Sequence, residues 1–268
     1  MQFQNINEKI LIVDFGSQVT KLIARRVRDL GVYSEIITPK NLKKFANYNS
    51  IKGIILSGGP STVTKSVFQS VPKSIFNKKI PILGICYGLQ LIAKIYGGRV
   101  KSSKKKREFG RAFIFEKKKS LLTKNFFKTK KSVWMSHEDA VVKLPKNFKT
   151  IASTKDSKLT IIENQKKRIY GVQFHPEVTH TDNGNQIFKN FIFSICKANK
   201  SWNIISQKKK LIEEIKKVVK RDKVICALSG GVDSSVVALL VNKAIKRNLV
   251  CIMVDTGLMR KNEFKYTY

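Results

Sequence analysis

No stretch of about 18 apolar residues occurs in the chain, so no transmembrane helix and no membrane partner are expected. Met1 to Lys9 is polar and leads straight into a strand-like run, without the pattern of a secretory signal. Cysteine is scarce. Cys86, Cys196, Cys226 and Cys251 lie far apart and form no Cys-x-x-Cys pair. That argues against a disulfide frame or a zinc site and points to a reducing, cytoplasmic location. Acidic residues are few, 18 against 53 Lys and Arg, leaving a net charge of +35. Such a surplus suggests nucleic-acid binding. Its make-up argues otherwise, because the excess is mostly Lys and is spread along the whole chain. The clusters at 104–107, 117–119 and 208–210 carry no interleaved stacking aromatics. A solvated lysine surface, with no specific nucleic-acid partner, is the expectation.

What is present is a globular composition. At 268 residues and 42% apolar, the chain has room for one full domain and part of another. Lys9 to Gly16 reads as a buried parallel strand, and Gln18 to Leu30 as a helix stopped by Gly31. Strands follow at Val32–Thr38, Gly53–Leu56 and Ile80–Ile85, the last turning at Cys86 into a helix over 88–96. Strands alternating with helices predict an α/β fold with a mainly parallel, mixed sheet and flanking helices. From Phe113 to Gln173 the pattern is richer in strands, with candidates at 113–115, 133–135, 150–152, 159–162 and 169–172. An amphipathic helix over 185–196 closes a first domain spanning 8–199. A second α/β unit over 203–268 is predicted as helix 207–220, strand 223–228, a Gly-rich loop, helix 234–245 and strand 249–254.

Gly84-Ile85-Cys86-Tyr87-Gly88 lies at a strand-to-helix junction, the cysteine form of a nucleophile elbow. The following helix points its positive end at the sulfur and favours the reactive thiolate. The amide of Tyr87 is placed to bind an oxyanion, and Gly59 in Ser57-Gly58-Gly59-Pro60 suits a second donor. His175 ends a strand-like run and serves as the base and acid, with Glu177 two residues on to orient it. His137 and His180 are expected at surface or loop positions. A buried structural cysteine is the competing reading of Cys86.

Ser229-Gly230-Gly231-Val232-Asp233-Ser234-Ser235 follows a strand and opens a helix. Successive amides and hydroxyls at a helix N-terminus make an anion cradle. The Walker Gly-Lys-Ser/Thr is missing, so this is a different phosphate loop, with Asp233 a possible Mg²⁺ ligand. A plain Gly-rich β–α turn is the competing reading.

Asp14-Phe15-Gly16-Ser17-Gln18, Leu56 to Pro60, Gly84 to Gln90 and Gln173-Phe174-His175-Pro176-Glu177 resemble the class I glutamine amidotransferase domain. Val178 to Thr181 and Arg107-Glu108-Phe109-Gly110 narrow the resemblance to the GMP synthase family. It implies that Cys86 attacks the side-chain amide of glutamine through a thioester, and that Gln90, Ser136 and His137 line the glutamine pocket. The 229–235 loop resembles that of N-type ATP pyrophosphatases, an adenine-nucleotide α-hydrolase-like unit, and Val254 to Arg260 resembles a segment near the adenosine. The family implies glutamine, ATP and XMP as substrates, Mg²⁺ with the ATP, no prosthetic group, and a homodimer for full-length members. One departure is Glu138, where the family has Gly. A positive φ there would cost about a kcal/mol.

The family continues well beyond this chain's last residues. The second unit is therefore expected to be truncated and poorly folded, with exposed apolar surface, because two parallel strands and a helix cannot bury both faces of a sheet. Glutaminase chemistry without GMP formation is the expectation for this chain alone. Two alternatives remain: a glutaminase that serves a separate synthetase as its stand-alone subunit, and a non-functional remnant of a decayed gene.

Overall fold

The computed structural model describes residues 8–42, 48–102, 108–128 and 131–255. Arg107 of the Arg107–Gly110 motif, the cluster at 104–107 and residues 256–268, with most of the 254–260 segment, lie outside them. The chain divides into two compact units, 1–201 and 202–268.

The first unit begins with β1 (Lys9–Val13), α1 (Thr20–Asp29), β2 (Ser34–Ile37), the single turn α2 (Pro39–Leu42) and β3 (Ile51–Leu56). A 3₁₀ turn over Lys73–Asn77 precedes β4 (Ile82–Ile85) and α3 (Tyr87–Ile95). Next come β5 (Arg99–Ser102), β6 (Glu108–Glu116), β7 (Lys131–His137), β8 (Asp139–Lys143), β9 (Lys149–Ser153), β10 (Ile161–Asn164) and β11 (Ile169–Val172). The unit closes with α4 (Gly184–Lys189) running into a π-helical turn at Asn190–Ile195.

Nine strands form one sheet in the order β2-β1-β3-β4-β11-β10-β9-β6-β7. Pairing is parallel from β2 across to β11 and antiparallel from β11 to β7. β5 and β8 pair separately as an antiparallel ribbon. Alternation along β1 supplies both cores. Ile10 and Ile12 face a cluster with Ile23, Val27, Phe188 and Phe191. Leu11 and Val13 face the other, with Ile54, Leu56, Leu89 and Ile92. All of these are essentially inaccessible to water. The closing helix fits tightly: a Cβ on Gly53 would lie 2.4 Å from Cys196 Sγ.

The parallel half leaves the carboxyl ends of β1, β3, β4 and β11 side by side, where open α/β sheets bind their ligands. Every first-unit segment singled out as catalytic starts at one of these ends, except Ser136 and His137 on β7.

The second unit contains α5 (Ile204–Val219), β12 (Val224–Leu228), α6 (Val232–Ile245), a 3₁₀ turn at Lys246–Asn248 and β13 (Leu249–Met253). β12 and β13 pair in parallel, Cys226 opposite Cys251. Contrary to the expectation of a poorly folded segment, its elements are regular. α5 is capped by Asn203, whose side chain accepts from the Ile205 amide at 2.8 Å. The expected exposed apolar surface is present: Val232 is 79% exposed, Ile225 70% and Leu239 58%. Among the described residues no helix is long and apolar enough to cross a membrane.

Candidate active site

Cys86 sits between β4 and α3 with φ +50° and ψ −103°. A side chain bearing a Cβ is strained there, by about 1–3 kcal/mol, and such strain persists only where packing enforces it. The enforcing contacts are visible. A Cβ on Gly84 would lie 2.5 Å from the Gly88 backbone, and one on Gly88 would lie 2.3 Å from the Leu56 carbonyl oxygen. Strand, turn and helix therefore touch backbone to backbone on both sides of the cysteine. The Cys86 amide donates to Val172 O at 2.8 Å and the Gly88 amide to Ser57 O at 3.1 Å. Tyr87 supplies the first helical amide, which has no acceptor inside its own helix. Its side chain turns elsewhere, the hydroxyl donating to Gln69 O at 2.5 Å.

His175 and Glu177 reach the same place from the end of β11. His175 Nδ1 lies 2.8 Å from Glu177 Oε1, and Glu177 is fully buried. The turn carrying them is held at several points. The His175 amide donates to Trp134 O at 3.0 Å, Thr181 Oγ1 donates to His175 O at 2.6 Å, and Arg26 Nε donates to Glu177 O at 3.0 Å. Burial opposes the imidazolium. Hydrogen bonding to Cys86 and Glu177, with their negative charges, outweighs it and pushes His175 up to about 10. Cys86, His175 and Glu177 thus stand as a connected set. Cys196 differs, because burial pushes its thiol well above the usual range.

Gly58 lies at this junction. A Cβ there would sit 3.1 Å from His175 Cε1 and 3.7 Å from Cys86 Cβ. Gly59 packs onto Phe15, whose carbonyl oxygen a Cβ would meet at 2.7 Å. Gly59 and Cys86 line one cleft of about 620 Å³ together with Gln90, Ser136, His137 and Glu138. Gln90 is buried, its Nε2 donating to Asp139 O at 2.8 Å.

His137 is not at the surface. Val133, Met135 and His137 share the inward face of β7, and His137 is only 5% exposed. Its Nε2 lies 3.2 Å from the carboxylate of buried Glu108. His180 is exposed in a loop, as expected, and stacks on Trp134 with ring centroids 4.5 Å apart. Glu138 is not among the positive-φ residues, so the strain considered for it does not arise.

Residues 229–235 form a loop from β12 into α6. Gly230 takes φ +75°, a conformation natural to glycine. Ser234 Oγ accepts from the Ser229 amide at 3.2 Å and donates to Gly231 O at 3.1 Å. Ser235 Oγ donates to Gly231 O at 3.0 Å. Among the described residues no side chain caps α6, so its first amides, on Val232 and Asp233, remain available to an anion. Asp233 lies in that first turn.

Sequence reasoning assigned no role to Gln173, which is fully buried with Nε2 3.7 Å from Cys86 Sγ. It also gave none to Thr62 and Asp139, which line the cleft and hydrogen-bond one another. Position in a motif beside His175 was the only signal for Gln173.

Comparison with known proteins agrees with this geometry. The model of the class-I glutamine amidotransferase family matches residues 11–195, and that of the NAD synthase family matches residues 204–267. A Treponema denticola protein named GMP synthase [glutamine-hydrolyzing] is 49% identical over 261 residues, covering 97% of this chain and 50% of the relative. Its namesake from Borrelia garinii subsp. bavariensis is 50% identical, covering 96% of this chain and 48% of the relative. The chain thus spans about half the length of the curated relatives it matches. Among solved structures, a GMP synthase component from Thermoplasma acidophilum matches with a TM-score of 0.61 at 30% identity, over 72% of this chain and 96% of that one. A glutamine amidotransferase from Thermotoga maritima, 19% identical with a TM-score of 0.56, shares the fold over 91% of this chain and 93% of its own.

Proposed function

As this chain belongs to the class-I glutamine amidotransferase family, we propose that its first domain, residues 8–199, hydrolyses glutamine and its second, residues 203–268, contributes the phosphate loop of a GMP synthase. Cys86 is the nucleophile. Its thiolate attacks the amide carbon of glutamine, and the oxyanion forms against the Tyr87 and Gly59 amides. His175 gives its proton to the leaving nitrogen, ammonia departs, and a thioester remains. Neutral His175 then takes a proton from water, which attacks the thioester and releases glutamate. Glu177 orients the imidazole and stabilises its cation. Gln90, Ser136 and His137 hold the glutamine.

Residues 229–235 grip the phosphates of ATP in this reading. The nucleotide activates the 2-oxygen of XMP, and ammonia displaces AMP to give GMP. Mg²⁺ fits as an ion held chiefly by phosphate oxygens, since among the described residues no group of three or more acidic, His or Cys ligands gathers at Asp233. No prosthetic group enters the reaction. A homodimer and a cytoplasmic location belong to the same reading.

The observation that carries the proposal is the strained Cys86 elbow joined to the buried His175–Glu177 pair. It is tested by ammonia release from glutamine by this chain, alone and with the synthetase substrates ATP and XMP. Loss of release in Cys86→Ala is expected. Release that survives that substitution overturns the assignment.

A further inference from the structure

Two groups on opposite chemical terms meet the Cys86 sulfur. The Ser136 carbonyl oxygen lies 3.7 Å from Sγ and can accept only from a thiol S–H. The Gln173 carboxamide nitrogen, also 3.7 Å away, donates and is best matched by a thiolate. Gln173 is fully buried, and its amide is pinned to Thr160 O at 2.8 Å just past β11. Its Oε1 has no hydrogen-bond partner among the described residues. A buried carboxamide with an orphaned oxygen costs stability, and an apolar side chain of similar size would fill the space without that cost. Packing therefore does not account for an amide at this position, whereas the contact of its nitrogen with the sulfur does.

We propose that Gln173 is the donor that holds Cys86 as a thiolate, so that the sulfur turns to the Ser136 carbonyl as a thiol and to Gln173 and His175 as an anion. The inference rests on Cys86 being the nucleophile. The proton leaving the sulfur passes to His175, so the exchange between the two states needs no other acceptor. In the first half-reaction Gln173 raises the fraction of attacking thiolate. In the second it receives the sulfur again as the thioester breaks and the thiolate leaves. The other titratable groups at the sulfur or in its cleft are His175 with Glu177 behind it, His137, Glu138 and Asp139 from β7 and β8, and Lys65 from the segment after β3. A neutral substitution at 173 changes none of their charges.

The test is the pH dependence of iodoacetamide alkylation at Cys86 in the full chain, resolved by peptide mass spectrometry from the exposed Cys251. Gln173→Leu and Gln173→Met remove the donor at similar volume. Both are expected to move the alkylation midpoint up by about one pH unit, which is about a tenfold lower thiolate fraction below both midpoints. Melting temperatures are expected to hold or rise, because the orphaned oxygen is gone, and a merely structural role would give the opposite pair of results. An unmoved midpoint overturns the proposal, and if one variant fails to melt cooperatively the other decides by the same criterion. Alkylation needs no glutamine. Ammonia release surviving Cys86→Ala alongside a shifted midpoint would refute the glutaminase reading while leaving the Gln173 contact intact.

Discussion

Glu177→Gln is the most informative single change at the candidate site. It keeps shape and an acceptor for His175 Nδ1–H, and it removes one charge from a fully buried position 2.8 Å from the imidazole. A hydrogen bond to a charged group contributes about 1.5–3 kcal/mol against roughly 1 for a neutral one. If that difference of about 1–2 kcal/mol supports the imidazolium as it protonates the leaving nitrogen, kcat for ammonia release falls roughly 5- to 30-fold with little change in KM. The same pair makes a stability prediction. His175 is raised from 6.5 to about 10 against burial, by Cys86 and Glu177. A raised basic group stabilises the fold fully below its unfolded value and loses that contribution as pH climbs through the folded value. The melting advantage of wild type over Glu177→Gln should therefore be largest near pH 6 and shrink steadily between pH 6.5 and 10. Rates at saturating glutamine and melts across that range read both quantities. A variant with wild-type kcat, or an advantage that grows with pH, would refute the reasoning.

Gly88→Ala puts a Cβ 2.3 Å from the Leu56 carbonyl oxygen. Because backbone meets backbone there, about 3 kcal/mol or more of stability should be lost in denaturant titrations, with the Cys86 elbow displaced and ammonia release lost as well. Ser234→Ala removes the hydroxyl that ties the Ser229 amide to the Gly231 carbonyl. ATP affinity, measured by calorimetry, is expected to fall about tenfold while the glutaminase rate without nucleotide is unchanged.

Much of the parallel half was legible because apolar runs of four to six residues between turn signals have few other solutions. β1, β3, β4 and β11 all lie within or overlap the spans read from sequence, and the elbow followed from glycines flanking a cysteine where a strand gives way to a helix. β5 and β8 were missed. Arg99–Ser102 and Asp139–Lys143 are short and mostly polar, and they form a ribbon only through each other, a pairing about 40 residues apart that local pattern does not carry. The helix over 185–196 was read as one period, yet it passes from α4 into a π turn at Asn190. There the Asn190 side chain donates at 2.8 Å to the carbonyls of both Leu122 and Lys124. Those partners lie on the loop after β6, so the break is tertiary in origin.

At the candidate site the same division holds. Residues whose chemistry is unusual for their place, Cys86 between glycines and His175 before Pro176-Glu177, were legible as a set. Residues that act through where a strand points them were not. His137 looked like a loop residue because neighbouring Ser136 and Glu138 are polar, and only the alternation of β7 turns it inward with Val133 and Met135. Gln173 is the stronger case. A glutamine beside a catalytic histidine is unremarkable in one dimension, and the Ser136 carbonyl is a backbone atom with no sequence signature at all. Both acquire meaning from the sulfur, because the β4–α3 turn holds Cys86 at φ +50° and points Sγ between an acceptor and a donor at equal distances of 3.7 Å. The glycines that made the elbow readable from sequence thus also fix the sulfur between its two partners. Relaxing the turn, as in Gly88→Ala, should therefore disturb the midpoint of Cys86 alkylation as well as the fold.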